Sequence, residues 1–383
     1  MIKIILLFFL LAFLSCIKEK SVSIFVQNPT SMDRKNEMIE VDWDLIKNVF
    51  RDDKQSFIIL NQFGEKIPYQ FVYYGFKTPE LLIFQASLKA NEKLEFKIVH
   101  GEPDSIKSRV NVAFVPERKD DISWENNRIA YRMYGPALEV DPKEALVSGG
   151  IDLWVKSTPE LVAAKWYKDD LAHVKSYHKD NGEGLDFYSV GKSLGAGASA
   201  PIKKDSLYYI GHNFKSYDIL DNGPLRLVFK LTYQPYYAYD SIMVDEHRLI
   251  SLDAGSNLNK IVENYGDIKK SLKIAAGFPY YGNDTYVINA DQGYISYAQP
   301  EDSINGVIYL GLVSDVALED TKVVNNQMVS IFDYQPSYKE GRGLTYYSGG
   351  GWNKGGYPSF KDWTNYISDF ANKVRHPLII WVE

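Results

Sequence analysis

The sequence predicts a mainly β protein: a small N-terminal β-sandwich, then a large β-sandwich carrying one late helix. Three observations predict it. Short stretches of alternating apolar and polar residues recur along most of the chain, with Gly, Pro, Asn or Asp between them. Aromatic residues are abundant, 28 Tyr, 19 Phe and 7 Trp in 383 residues, and such side chains suit a pleated sheet. A single segment, near the C-terminus, combines a capping residue with a helical apolar period.

The elements follow in order. Residues 1–15 read as a signal peptide: one charge at Lys3, an apolar run from Ile4 to Leu14, then the small Ser15. The run is too short for a permanent membrane helix, which needs about 20 apolar residues. Cys16 is the only cysteine. Phe13-Leu14-Ser15-Cys16 resembles a bacterial lipobox, which implies cleavage before Cys16 and its acylation. An ordinary signal peptide with a spare cysteine is the alternative, and an unpaired thiol in an oxidising compartment disfavours it. Residues 16–20 become a lipidated tether. The expected location is the cell envelope, on the periplasmic side or the outer-membrane surface, with the lipid as the only membrane contact.

Residues 21–115 read as the N-terminal sandwich. Val22, Ile24 and Val26 alternate with Ser21, Ser23 and Phe25; Ile39, Val41 and Trp43 share one face against Glu40 and Asp42. Further strands are predicted at 56–60, 80–86 and 93–100. Residues 116–383 read as the large sandwich, with strands at 128–134, 151–156, 207–213, 223–233, 243–252, 269–275, 285–289, 293–298 and 306–313. Ser359 is the expected cap of a helix whose apolar period runs through Trp363, Ile367, Phe370 and Val374 to a stop at Pro377, followed by a strand at 378–382. The long β region with one late helix resembles the two-sheet sandwich of galactose-mutarotase-like carbohydrate enzymes. That is a likeness of fold, which carries no function by itself.

Composition excludes some classes. The net charge of −6 is mixed in sign along the chain, with no basic run to suggest nucleic acid. No HExxH, nucleophile elbow or phosphate loop is present, and no cofactor is expected. Gly191-Lys192-Ser193 lacks the earlier glycine of a P-loop, since Asp186 stands there.

Residues 166–201 read as a long ordered loop, rich in glycine and ionisable groups. His178 is the leading candidate for a general acid or base, because imidazole titrates near neutrality; a surface histidine beside Lys179 is the alternative. A metal site from His173, His178 and Asp186 is conceivable, but the spacing fits no strong signature. His212 and Asn213 sit at a predicted strand end, as a second imidazole and an amide or as turn residues. Arg128 and Arg132 lie four apart in a predicted strand, on one face, and suit a carboxylate or sulfate; pairing with an acid such as Glu139 is the alternative. Trp352 follows Gly349-Gly350-Gly351, either on a glycine-rich loop where it stacks on a sugar or folded onto the sandwich edge.

Several segments together resemble a family long labelled a domain of unknown function: NNRIAYRMYGPALE (126–139), GIDLWVK (150–156), KSYHKDNGEGLDFYSVGKSLGAG (175–197), NGPLRLVFKLTY (222–233), SLDAGSNLN (251–259) and YYSGGGWNKGGYPSFKDW (346–363). The family occurs in polysaccharide-utilisation clusters, often beside unsaturated-uronyl hydrolases. The resemblance implies an oligosaccharide dehydratase of the ulvan type, which removes water from a terminal glucuronic or iduronic acid on sulfated rhamnose and leaves a 4,5-unsaturated uronyl end. The partner would be an acidic oligosaccharide. Elimination needs a base for the C5 proton, donors for the carboxylate and an acid for the departing 4-hydroxyl. His178, His212 and Tyr188 offer acid or base; Arg128, Arg132, Lys192, Asn213 and Trp352 offer binding groups. Two other readings stand beside it: a glycoside hydrolase using two of Asp180, Glu183 and Asp186, and a non-catalytic glycan-binding lipoprotein.

Overall fold

A computed structural model describes residues 21–47, 56–266, 268–335 and 343–383. The expected signal peptide and tether, with Cys16, lie outside the described residues. The chain is mainly β, as expected, and among the described residues the named strands pair antiparallel, with one isolated parallel bridge between Ile151 and Gly195.

The large sandwich sets one eight-stranded sheet against two five-stranded sheets. The eight-stranded sheet runs, edge to edge, Ser216–Asn222, Arg226–Thr232, His247–Asp253, Leu258–Asn264, Leu344–Trp352, Ile308–Val313, Tyr294–Ala298 and Tyr286–Asn289. The first five-stranded sheet holds Gly184–Leu185, Asp152–Lys156, Ile129–Met133, Asp121–Asn126 and Val110–Val115. The second holds Ser206–Leu207, Ser199–Lys203, Leu272–Pro279, Gln327–Tyr334 and Asp320–Val324. Trp124, Tyr131, Leu153, Phe229, Ile250, Ile274, Leu310 and Tyr346, drawn from all three, meet in one buried core. Within it Arg248 is fully buried between Glu263 Oε1 (2.7 Å) and Glu246 Oε1 (3.0 Å), and Tyr236 donates to Glu246 Oε2 at 2.7 Å. Burial, then the neighbouring Glu263, push the Glu246 carboxyl up to about 8.

The helix Phe360–Arg375 lies on the opposite face of the eight-stranded sheet, where Trp363, Ile367 and Ala371 pack on Leu258, Tyr294 and Tyr309. Its start is the one predicted: the Ser359 hydroxyl accepts from the Asp362 amide, and the Asp362 carboxylate accepts from the Ser359 amide. The chain then crosses to the small sandwich, where Ile379–Val382 pairs with Val22–Gln27 as an edge strand. The small sandwich packs Val72 and Ile83 onto Leu225 and Val228 of the large one. Gln70 fastens the contact, accepting from the Leu225 and Arg226 amides at 2.7 and 2.8 Å. The division expected after residue 115 falls between Val110–Val115 and Asp121–Asn126, which pair along their length.

Three local expectations differ from the structure. Residues 207–213 form a strand only at Ser206–Leu207; beyond it, Gly211 breaks the alternation and the side chain of Glu139 takes the Asn213 amide that a strand partner would have taken. The stretch 166–201 is not a loop from its start, because the helix Ala163–Leu171 occupies its beginning. That helix has no cap of its own; the Glu125 carboxylate, distant in sequence, accepts from the Val162 and Ala163 amides at 2.9 and 2.7 Å. Residues 346–352 are a central strand rather than a glycine-rich loop. The glycines are there for close packing: a Cβ on Gly351 would stand 2.7 Å from the Trp363 ring, and one on Gly349 would collide with the Tyr131 hydroxyl.

Candidate functional site

Strand alternation turns Tyr131 and Met133 into the sandwich core and Ala130 and Arg132 to the outer face of the first five-stranded sheet. Arg132 sits directly across from Asp152, and Trp154 shares that outer face. The helix Ala163–Leu171 and the segment after it cover the face, so this outer layer is dry.

Arg132 is 5% exposed and surrounded by carboxylates. Its Nε donates to Asp152 Oδ2 at 2.9 Å, and its Nη2 reaches the same oxygen. Asp186 Oδ2 lies 3.4 Å from Nη2 and Asp121 Oδ2 lies 3.9 Å from Nη1. The guanidinium also sits over the rings of Tyr134 and Trp154, at 5.0 and 5.2 Å. Three buried carboxylates around one cation leave an excess of negative charge that burial opposes. Burial pushes Asp121 up to about 6 against the pull of Arg132. Burial and then Asp152 hold Asp186 well above the usual carboxylate range.

His178 stands at the solvent edge of this cluster, its side chain 58% exposed. Its Nδ1 is 3.1 Å from the carbonyl oxygen of Asp186 and 3.6 Å from the Asp186 carboxylate. The ring leans on Tyr177, with centroids 4.5 Å apart. The Tyr177 hydroxyl accepts from Arg132 Nη1 and from Arg118 Nε, at 3.3 Å each, and so joins the buried guanidinium to a partly exposed one. Tyr188 is buried in the sandwich core. Its buried hydroxyl has no hydrogen-bond partner among the described residues. Burial, then Tyr281 and Asp152, raise its pKa well above the ordinary tyrosine value.

The structure thus brings His178 and Arg132 to the same aspartate, Asp186, and corrects the role expected of Arg132. Its hydrogen-bonding edge is filled by aspartates, which leaves no donor facing solvent for a substrate anion. Arg128 does not share its surroundings. It precedes the strand, donates to Asn257 Oδ1 at 3.4 Å and lies over the Tyr357 ring at 5.6 Å. His212 is in a separate place, with Nδ1 3.1 Å from Glu139 Oε2. Asn213 is buried and fully engaged: its Oδ1 accepts from the Ser148 amide, and its Nδ2 donates to the carbonyls of Gly135 and Leu146. Lys192 is exposed in a turn. Trp352 is 2% exposed, its indole N–H donating to the Asn305 carbonyl at 2.8 Å, so it is folded into the sandwich instead of presented to a sugar.

The loop carboxylates are also accounted for. Asp180 Oδ1 accepts from the Gly182 and Gly184 amides at 2.8 and 3.1 Å. Glu183 Oε2 meets Lys165 Nζ at 2.6 Å and Trp166 Nε1 at 3.1 Å. His173 sits in the turn after the helix with φ +56°. Among the described residues no three His, Cys, Asp or Glu side chains converge as metal ligands. Sequence reasoning missed Asp121, Asp152, Tyr134 and Tyr177. One signal existed for Asp152, a lone acid in the apolar run Ile151-Asp152-Leu153-Trp154-Val155.

A family described as Domain of unknown function (DUF4861) matches residues 26–380. The chain belongs to that family. A relative, described as Uncharacterized protein P7 of Formosa agariphila, is 32% identical over 398 residues and covers 99% of each chain. Two solved structures share the fold: a protein in the glycosyl hydrolase family 38 from Enterococcus faecalis and an alpha-mannosidase from Enterococcus faecalis V583. Each is 8% identical with a TM-score of 0.53; they cover 96% and 95% of this chain. This family member spans about half of their length, 48% and 46%.

Proposed function

We propose that this protein is an oligosaccharide dehydratase that eliminates water from a terminal uronic acid, as in ulvan-type glycans, leaving a 4,5-unsaturated uronyl end. The observation that carries the reading is the pose of His178. Asp186 engages Nδ1 and fixes the ring, while the half-exposed side chain leaves Nε2 to meet a ligand. An imidazole oriented through one nitrogen and working through the other is the usual arrangement of a general base.

In the proposed reaction Nε2 of His178 takes the C5 proton. The C–H electron pair becomes the second bond between C4 and C5 as the C4–O bond breaks, and the 4-hydroxyl takes a proton from solvent and departs as water. Charge that builds on the uronate carboxylate needs a cation beside it. Arg118 is the candidate: its Nη1 pairs with the exposed Glu144 at 3.1 Å, its guanidinium is partly exposed, and its Nε is tied to the ring beneath His178 through the Tyr177 hydroxyl. Support for elimination over hydrolysis comes from the loop carboxylates. Asp180 and Glu183 are held by backbone amides, Lys165 and Trp166, and Asp186 is buried, so none is placed as an exposed acid–base pair.

The test is incubation with oligosaccharides ending in glucuronic or iduronic acid. Loss of one water by mass spectrometry with new ultraviolet absorbance is the expected result. Release of a shorter sugar without that absorbance would replace the reading with hydrolysis. We propose in addition that acylated Cys16 holds the protein to the cell envelope, a reading supported by the apolar run before it.

A further inference from the structure

A cleft of about 560 Å³ opens where three segments of the large sandwich meet. One wall is Pro279, Tyr280, Tyr281 and Gly282, where the strand Leu272–Pro279 ends. A second wall is Val323, Asn326 and Gln327, at the turn between Asp320–Val324 and Gln327–Tyr334. The third is Ser189, Val190 and Ser193, on the segment that follows Tyr188. The volume falls in the range of small-molecule sites, about 300–1,000 Å³.

The walls are fixed and their chemistry is specific. The Gln327 side chain accepts from the Leu194 amide at 3.1 Å and donates to the Asn326 carbonyl at 3.1 Å, and that carbonyl accepts from the Tyr280 amide at 2.8 Å. The three segments are therefore one hydrogen-bonded frame rather than three independent loops. Asn326 adopts a left-handed conformation, φ +58°. Tyr281 is 51% exposed, a large ring offered to solvent where burial would have been favourable. The residues lining the cleft are aromatic, hydroxyl, amide and aliphatic, and none carries a charge.

We infer that the cleft bounded by Tyr281, Asn326 and Ser189 is a saccharide subsite that takes a neutral pyranose ring. An aromatic face covers the apolar C–H side of such a ring, and hydroxyl and amide groups answer its hydroxyls. A uronate or sulfate ester would enter without a counter-charge, at the desolvation cost that unpaired charges incur. The subsite goes beyond the reading of His178 as a base and does not depend on it, because binding is measured without turnover.

The test uses the full protein and ligand-observed NMR with the methyl pyranosides of glucose, galactose, mannose, rhamnose and xylose at millimolar concentration. Methyl glucuronoside serves as the charged comparison. At least one neutral pyranoside should show saturation transfer. Tyr281→Ala should weaken that binding about tenfold or more while its melting temperature stays that of the parent. Tyr281→Phe should retain binding within about threefold, since stacking survives. His178→Gln should bind the neutral sugar as the parent does. The subsite is overturned if no neutral pyranoside gives a signal, if Tyr281→Ala binds the neutral sugars like the parent, or if Tyr281→Ala weakens the glucuronoside as much as it weakens the neutral sugars. Loss of turnover in His178→Gln with any of those results would leave the proposed reaction standing and remove only the subsite.

Discussion

The Asp186 backbone carbonyl lies 3.1 Å from His178 Nδ1, and the carboxylate of the same residue lies 3.6 Å from that nitrogen. One buried aspartate therefore orients the imidazole twice over, and Arg132 anchors the aspartate in turn. Replacing the imidazole tests whether this arrangement is chemical. His178→Gln should lower turnover by about 10²- to 10⁴-fold, the usual contribution of a general acid or base, and remove one limb of the pH–rate profile. The melting temperature should stay put, because an exposed ring supports little core. A variant retaining most activity would reduce His178 to a positioning residue.

Arg132→Ala should act on stability before it acts on substrate affinity. Removing the cation leaves Asp152, Asp186 and Asp121 buried without it, and breaking a buried pair costs about 3–5 kcal/mol. Urea unfolding measures the loss. A stable variant with a raised KM would restore Arg132 as a substrate-binding group.

Arg118→Ala should do the reverse. Its guanidinium is partly exposed, so unfolding should shift little while KM for a uronate-ended oligosaccharide rises about tenfold or more, as expected when a charge-assisted contact of about 1.5–3 kcal/mol is lost. An unchanged KM would exclude it from carboxylate recognition.

Glu246 predicts a pH dependence of folding. Its carboxyl rises from 4.5 in the unfolded chain to about 8 in the native interior. The native state thus keeps a proton that the unfolded state gives up, and stability falls as pH climbs from about 4.5 to about 8. Glu246→Gln keeps the shape without the titration. Its melting temperature should gain on the parent at pH 8 relative to pH 5; an equal difference at both pH values would show that Glu246 does not titrate in this window.

Cys16→Ser should move the protein from the membrane fraction to the soluble fraction of its native host. Continued partition with membranes would exclude the lipid anchor.

The sequence by itself determined the β character, the order of most strands and the late helix with its Ser359 cap, because those depend on neighbours a few residues away. It also determined family membership, and it marked His178 and Tyr188 as members of an unusual segment. Tertiary structure decided what those segments do. Alternation assigns Arg132 to a face but cannot say whether that face meets solvent or the helix Ala163–Leu171, whose own start is capped by Glu125 from another strand. Gly349-Gly350-Gly351 reads locally as a loop, yet it is a strand because Leu258–Asn264 and Ile308–Val313 pair with it on either side, and its glycines admit the Trp363 ring and the Tyr131 hydroxyl. Trp352, which could stack on a sugar when read alone, is committed to the Asn305 carbonyl. Burial and charge pairing are properties of residues distant in sequence, so the aspartate cluster behind His178 came into being only when the sheets closed.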